Sequence, residues 1–240
     1  MSVYVVDSSN HRIRKIDTSG GVTTTLAGSG TGTFADGTGT AASFYYPAGV
    51  AVSPDGGTLY VADYFNSRIR KIDTSGGATT TLAGSGTNTF ADGTGTDASF
   101  NFPNGVAVSG GTVYVADMYN HRIRKIDTSG GVTTTLAGSG TGTFADGTGT
   151  AASFYYPHGV AVSPDGMTVY VADSSNHRIR KIDTSGGVTT TLAGSVTVGS
   201  ADGTGTAASF NFPSGVAVSP DGMTVYVADA DNNRIRQVTA

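Results

Sequence analysis

The segment YVADYFNSRIRKID, residues 60–73, is written five times along this 240-residue chain with few changes. The other copies begin at Tyr4, Tyr114, Tyr170 and Tyr226. The Asp closing each YVAD-type tetrapeptide falls at Asp7, Asp63, Asp117, Asp173 and Asp229, at spacings of 56, 54, 56 and 56 residues. The short interval has a local cause, since S-P-D-G-G at Ser53 becomes S-G-G at Ser109. Periods of this length, each long enough for several strands, lead to a propeller or a solenoid.

Four strand-like runs fill each complete period: GVAV from Gly49, TLYVAD from Thr58, RIRKID from Arg68 and ATTTL from Ala78. S-P-D-G-G joins the first two and D-T-S-G-G the last two. Both are turn sequences, with Pro presetting φ and Asp-Gly or Gly-Gly closing the reversal. The expected unit is a four-stranded antiparallel meander. Thirty-six Gly, abundant Thr and Ser, and no Glu, Trp or Cys also argue against helices and for an all-β chain. The runs grade from apolar on both faces (GVAV, LYVA) to hydroxyl-rich (TTT), which puts the first strands deep inside and the fourth at the rim. Sheets stacked face to face around an axis produce that gradient, as in a β-propeller.

The stretch FPNGVAVSGGTVYVADMYNHRIRKIDTSGGVTTTLAG, residues 102–138, resembles an NHL repeat, with N-H-R-I-R at its core. The resemblance recurs through the chain and implies a β-propeller from a family known for binding proteins, RNA or ligands, with some enzymes among its members. The W-D and kelch signatures of other propellers are absent. The linker before each Pro, GSGTNTFADGTGTDASFNF in one copy, is longer than in a minimal NHL blade.

One NHL-like domain over 1–240 is expected, with repeat units near 3–46, 47–102, 103–156, 157–212 and 213–240, the first and last partial. YVAD-type and RIRKI-type segments occur five times but GVAV and TTTLAG only four. Two closures satisfy this count. One has about five blades with three-stranded terminal blades. The other has four blades, with ring closure shared between chains through the incomplete ends, which makes self-association an expected partner mode. Residues 10–47 and 120–157 are identical, the mark of recent tandem amplification or of an engineered repeat.

Strand alternation places the long linker and the D-x-x-N-x-R turn on one face. The copies differ mostly there: Ser8-Ser9, Tyr64-Phe65, Met118-Tyr119, Ser174-Ser175 and Ala230-Asp231 after the Asp, and Ala48, Asn104, His158 and Ser214 before the inner Gly. Variable loop residues on a rigid frame are candidate binding residues. Tyr64, Phe65, Met118 and Tyr119 are of interface type, joined by Asn104 and His158. The repeated constellation reads as structural, an Arg–Asp pair with Asn capping the turn. Its members are Asp7, Asn10 and Arg12; Asp63, Asn66 and Arg68; Asp117, Asn120 and Arg122; Asp173, Asn176 and Arg178; Asp229, Asn232 and Arg234. A catalytic site is normally unique, and this set occurs five times.

Other chemistries are weaker. Net charge is −4, and each unit's Asp residues offset its Arg and Lys, so no basic stripe favours nucleic acid. One Asp per A-D-G-T-G-T motif (Asp36, Asp92, Asp146, Asp202) falls short of the ~6–8 oxygens of a Ca²⁺ site. Those Asp residues are expected to bond turn amides. His11, His121 and His177 share their slot with Ser67 and Asn233, so the turn does not require imidazole. His158 has no Glu to work with, because the chain contains none. No catalytic residues, metal or cofactor are therefore assigned. No apolar run is long enough to span a bilayer, no signal-peptide pattern precedes the first repeat, and compartment stays open. The expected role is a non-enzymatic scaffold or binding module that presents one loop face to a protein, peptide or glycan. The alternatives are a symmetric amplified or engineered repeat protein without a specific ligand, and a propeller lyase or hydrolase.

Overall fold

The alternating Val, Tyr and Ile runs pair as antiparallel sheets wherever a two- to five-residue turn lets the chain reverse. The computed structural model describes residues 1–240, and its fold is an all-β propeller of five blades without an α-helix. The second blade shows the complete pattern, with Pro47–Val52 innermost, then Thr58–Asp63, Arg68–Asp73 and Ala78–Ala83. Its central pair is in continuous register from Thr58↔Asp73 to Asp63↔Arg68. Bulges interrupt the inner pairing between Pro47 and Val50 and the outer pairing between Ile69 and Arg70. The terminal blades are three-stranded: Ser2–Asp7, Arg12–Asp17 and Thr23–Ala27 at one end, Pro213–Val218, Thr224–Asp229 and Arg234–Thr239 at the other. Because Ser2–Asp7 heads a sheet of its own, the four-blade arrangement does not apply.

The linkers hold an element that the repeat pattern does not announce. Gly37–Thr38, Gly93–Thr94 and Gly147–Thr148 each add a two-residue strand to the outer edge of the second, third and fourth blades. The pairing Gly37↔Thr79 and Thr38↔Ala78 gives the exposed outer strand a partner and shortens its open edge.

The chain divides into two compact units, Met1–Val113 with Ile126–Thr133, and Tyr114–Lys125 with Thr134–Ala240. In the first, Ile13, Ala27, Ala42 and Phe44 pack on Leu59, Val61 and Ile72, all fully buried. Phe44 comes from the linker, so the long connection contributes a core side chain. In the second unit, Tyr170, Ala172, Ile179 and Ala193 pack on Ala208, Phe210, Val225 and Val227. Each such Phe, Leu or Ile contributes about 1.5–3 kcal/mol by burial. The inner strands approach closely: a Cβ at Gly49 would run into the carbonyl oxygen of Asn104, so only glycine fits there.

Candidate functional site

Five copies of the D-x-x-N turn fold alike because a short 3-10 turn follows the Asp and the next residue closes it in the left-handed region. In the second blade the turn is Tyr64–Asn66 and the closing residue is Ser67, at φ 49°. The Asp63 carboxylate sits beneath it, fully buried. It accepts the Tyr45 amide at 2.8 Å, the Asn66 side-chain amide at 2.9 Å and the Arg70 guanidinium at 2.7 Å. Asn66 also donates to the Thr33 carbonyl at 3.0 Å. One carboxylate thus joins turn, linker and strand. Burial pushes the carboxyl of Asp63 above its ordinary range, the Arg70 charge opposing it, and Asp173 behaves alike with Arg180. Asp7, in the more open first blade, is held low by the Asn10 amide and then by Arg14.

The ion-pair partner differs from the one expected. Asp63 bonds Arg70 and not Arg68, and the same shift of two residues gives Asp7–Arg14, Asp117–Arg124, Asp173–Arg180 and Asp229–Arg236. Arg68 stands directly opposite Asp63 in register, yet its guanidinium turns outward to the carbonyls of Asn66 and Ser85 and lies 3.8 Å from the centre of the Phe34 ring. Arg70 projects from the same strand face two residues further on, where it also donates to the Ser43 and Ala35 carbonyls. Asp36 likewise does not cap a turn amide of its own loop: it bonds Arg70 at 2.6 Å, as Asp146 bonds Arg180 and Asp202 bonds Arg236.

Over this anchor lies a sheet of aromatic rings. In the first unit, Tyr45 meets Phe65 at 5.0 Å, Phe65 meets Tyr46 at 5.3 Å, and Tyr64 stacks on Phe102 at 5.0 Å while touching Phe65 edge-on at 5.0 Å. His11 joins through Tyr46 at 4.7 Å. Tyr45, Tyr46 and Phe65 stay about 40% exposed, at 38%, 40% and 43%. In the second unit Tyr119 meets Tyr156 at 4.9 Å, Tyr156 stacks on Tyr155, and His121 contacts both. His177 meets Phe212 at 4.7 Å. Of the sequence candidates, Tyr64, Phe65 and Tyr119 enter these clusters, and Met118 opens the same turn as Tyr119. Asn104 and His158 lie half-buried on inner strands, and burial lowers the His158 imidazole, which bonds the Ser214 backbone.

The clusters also recruit residues that the comparison of copies passes over, because the linker pair Tyr45-Tyr46 recurs unchanged as Tyr155-Tyr156. Tyr46, Phe102, Tyr156 and Phe212 all take positive φ, 47° to 51°. An aromatic residue there stores of order 1–3 kcal/mol of backbone strain and persists only where its surroundings impose it. The turn histidines help impose it: Nδ1 of His11, His121 and His177 accepts the amide of Tyr46, Tyr156 and Phe212 at 3.1, 3.2 and 3.2 Å. An acceptor Nδ1 is unprotonated, so the contacts of His121 and His177 require neutral imidazole. No group of three or more His, Cys, Asp or Glu side chains gathers into a metal site. The arrangement is suited to holding apolar or planar groups against rings.

Comparison with known proteins agrees with the repeat structure. A family model for the NHL repeat matches residues 44–72, 100–126, 154–182 and 210–238. The chain is 34% identical over 191 residues to Protein SUPPRESSOR OF QUENCHING 1, chloroplastic, of Arabidopsis thaliana, covering 75% of this chain and 18% of that protein. It is 35% identical over 154 residues to NHL repeat-containing protein 2 of Bos taurus, covering 59% and 21%. The chain therefore spans about a fifth of the curated relatives it matches. Among solved structures, an auxiliary nutrient binding protein from Bacteroides thetaiotaomicron superposes with a TM-score of 0.74 at 21% identity, over 99% of this chain and 56% of that one. That last likeness speaks to fold alone. With repeats, blades and motif in agreement, the chain belongs to the NHL-repeat β-propeller family.

Proposed function

We propose that this chain is a non-enzymatic binding module whose aromatic loop surface captures a protein, peptide or glycan. The observation that carries the reading is the partly exposed ring cluster of Tyr45, Tyr46, Tyr64, Phe65 and Phe102 in the first unit, with Tyr46 and Phe102 held at strained positive φ. Rings held at a backbone cost and left open to solvent are what an interface core is made of. The repeated Asp–Arg–Asn set lies under the surface as its support, which leaves no unique acid–base or nucleophile pair for catalysis. The solved neighbour described as a nutrient binding protein is compatible with this class of role. A symmetric repeat protein without a specific ligand is the competing reading, favoured by the identity of residues 10–47 and 120–157.

Display libraries of peptides and an oligosaccharide array, screened against the intact chain, test the proposal. Binders should be retained by wild type and lost, by at least about tenfold in affinity, when Tyr64, Phe65, Met118 and Tyr119 are all changed to Ser, since each buried ring contributes on the order of 1–3 kcal/mol. Ligands that bind both proteins equally reject the ring surface. Failure to enrich any ligand supports the competing reading.

A further inference from the structure

The two terminal blades end in faces that match each other in the way that neighbouring blades inside the chain do. In the second unit, Tyr170, Ala172 and Ile179 of the fourth blade cover Val225 and Val227 of the fifth, and none of the five is more than 5% exposed. The fifth blade repeats that trio on its far side as Tyr226, Ala228 and Ile235. There Tyr226 is 44% and Ile235 76% exposed. Gly215, Ala217, Tyr226, Ala228 and Ile235 line a shallow hollow of about 260 Å³. In the first unit, Val3 and Val5 hold the strand positions that Leu59 and Val61 hold in the second blade. Leu59 and Val61 are fully buried, whereas Val3 and Val5 are 48% and 37% exposed.

We propose that the Tyr226–Ala228–Ile235 face of one chain docks on the Val3–Val5 face of a second copy, so that chains associate head to tail. The occupant is identified by the chain's own internal interfaces, which join the same residue types at the same strand positions. The register follows from the same correspondence. Tyr60 of the second blade and Thr128, in the turn of the following blade, line one hollow. Thr18 holds that turn position in the first blade, so Tyr226 comes beside Thr18 of the second copy. The contact joins two different patches and is heterologous; it builds chains that grow with concentration unless the rotation closes them into a ring. It is independent of the aromatic loop surface, and a mass measurement reads it without any ligand.

Sedimentation and light scattering of the full chain, with two blocking variants, test it. Ile235→Asp blocks one face and Val3→Asp the other. Wild type is expected to gain mass with concentration beyond a dimer. Each variant alone stays monomeric, with its self-affinity reduced about ten- to a hundredfold, the loss of one buried aliphatic contact. An equimolar mixture of the two variants forms a dimer and stops there, because each retains the one face its partner needs. Circular dichroism checks that both are folded, and Ile235→Ser and Val3→Ser replace any that is not. Wild type that remains monomeric, including by closing on itself, overturns the proposal. So does a mixture that assembles no further than its components, or variants that associate as wild type does.

Discussion

The turn histidines show how a residue that the repeat does not require still shapes the surface. His121 and His177 accept a backbone amide from Tyr156 and Phe212, and burial depresses both imidazoles below 6.5, each with a neighbouring Arg adding to the effect. For His177, Asp231 and Asp229 oppose the shift. A depressed folded value means that the unfolded chain binds the proton more tightly. Their contribution to stability is therefore complete above pH 6.5, is lost as pH falls from there through the folded value, and is level below it. NMR titration of the imidazole protons should give midpoints below 6.5 for both, with the Tyr156 and Phe212 amides shifting in step; midpoints at or above 6.5 remove the mechanism. His121→Ser, the residue type that the second blade carries at Ser67, should flatten part of the pH slope of the thermal midpoint. Sequence exposes these positions as interchangeable, because Ser67 and Asn233 also fit the left-handed turn. It does not expose the amide that each imidazole accepts, since the donor lies 35 residues away. The Arg pairing has the same origin: both Arg residues of R-I-R lie on one strand face, and only packing decides which turns inward.

Elements with a strong two-residue alternation were legible, and those without one were not. The Thr58–Asp63 and Arg68–Asp73 pair follows from its pattern and its Gly-rich turns, and so does the grading of strands from core to rim. Gly37–Thr38 carries no pattern, and becomes a strand only because the outer strand of the second blade presents an edge to it. The linker Phe residues looked like loop, yet Phe44 is fully buried, while Phe34 lies flat over Arg68 and Arg70 at 3.8 and 4.8 Å. Such cation–ring contacts add roughly 0.5–2 kcal/mol and clamp the linker to the blade. The left-handed Tyr46 separates support from display at this scale. Tyr46→Gly removes the φ strain together with the ring contacts, so the two changes offset and stability should move by less than about 1.5 kcal/mol. Phe44→Ala, at an ordinary buried site, should cost about 3–5 kcal/mol. Chemical denaturation compares the two; a loss at Tyr46 as large as that at Phe44 makes Tyr46 a structural ring and takes it out of the binding surface.

At the scale of the molecule, adjoining blades within each unit bury their facing sides against one another, so stability there is a sum of blade terms and nearest-neighbour terms. The division into two compact units sharpens this expectation, because each has its own cluster of buried side chains, around Phe44 in one and Phe210 in the other. A cavity in one cluster removes packing from that unit's strands first. Hydrogen exchange followed by mass spectrometry on Phe44→Ala should therefore show faster exchange in peptides covering Arg12–Asp17 and Thr58–Asp63. Peptides covering Thr168–Asp173 and Thr224–Asp229 should change several-fold less. Phe210→Ala should invert the pattern, which controls for any general loosening. The contrast is to be read at low denaturant, where local opening dominates over global unfolding. If each substitution accelerates all four segments equally, the chain opens as one cooperative body, and blade-by-blade addition of stability does not describe it.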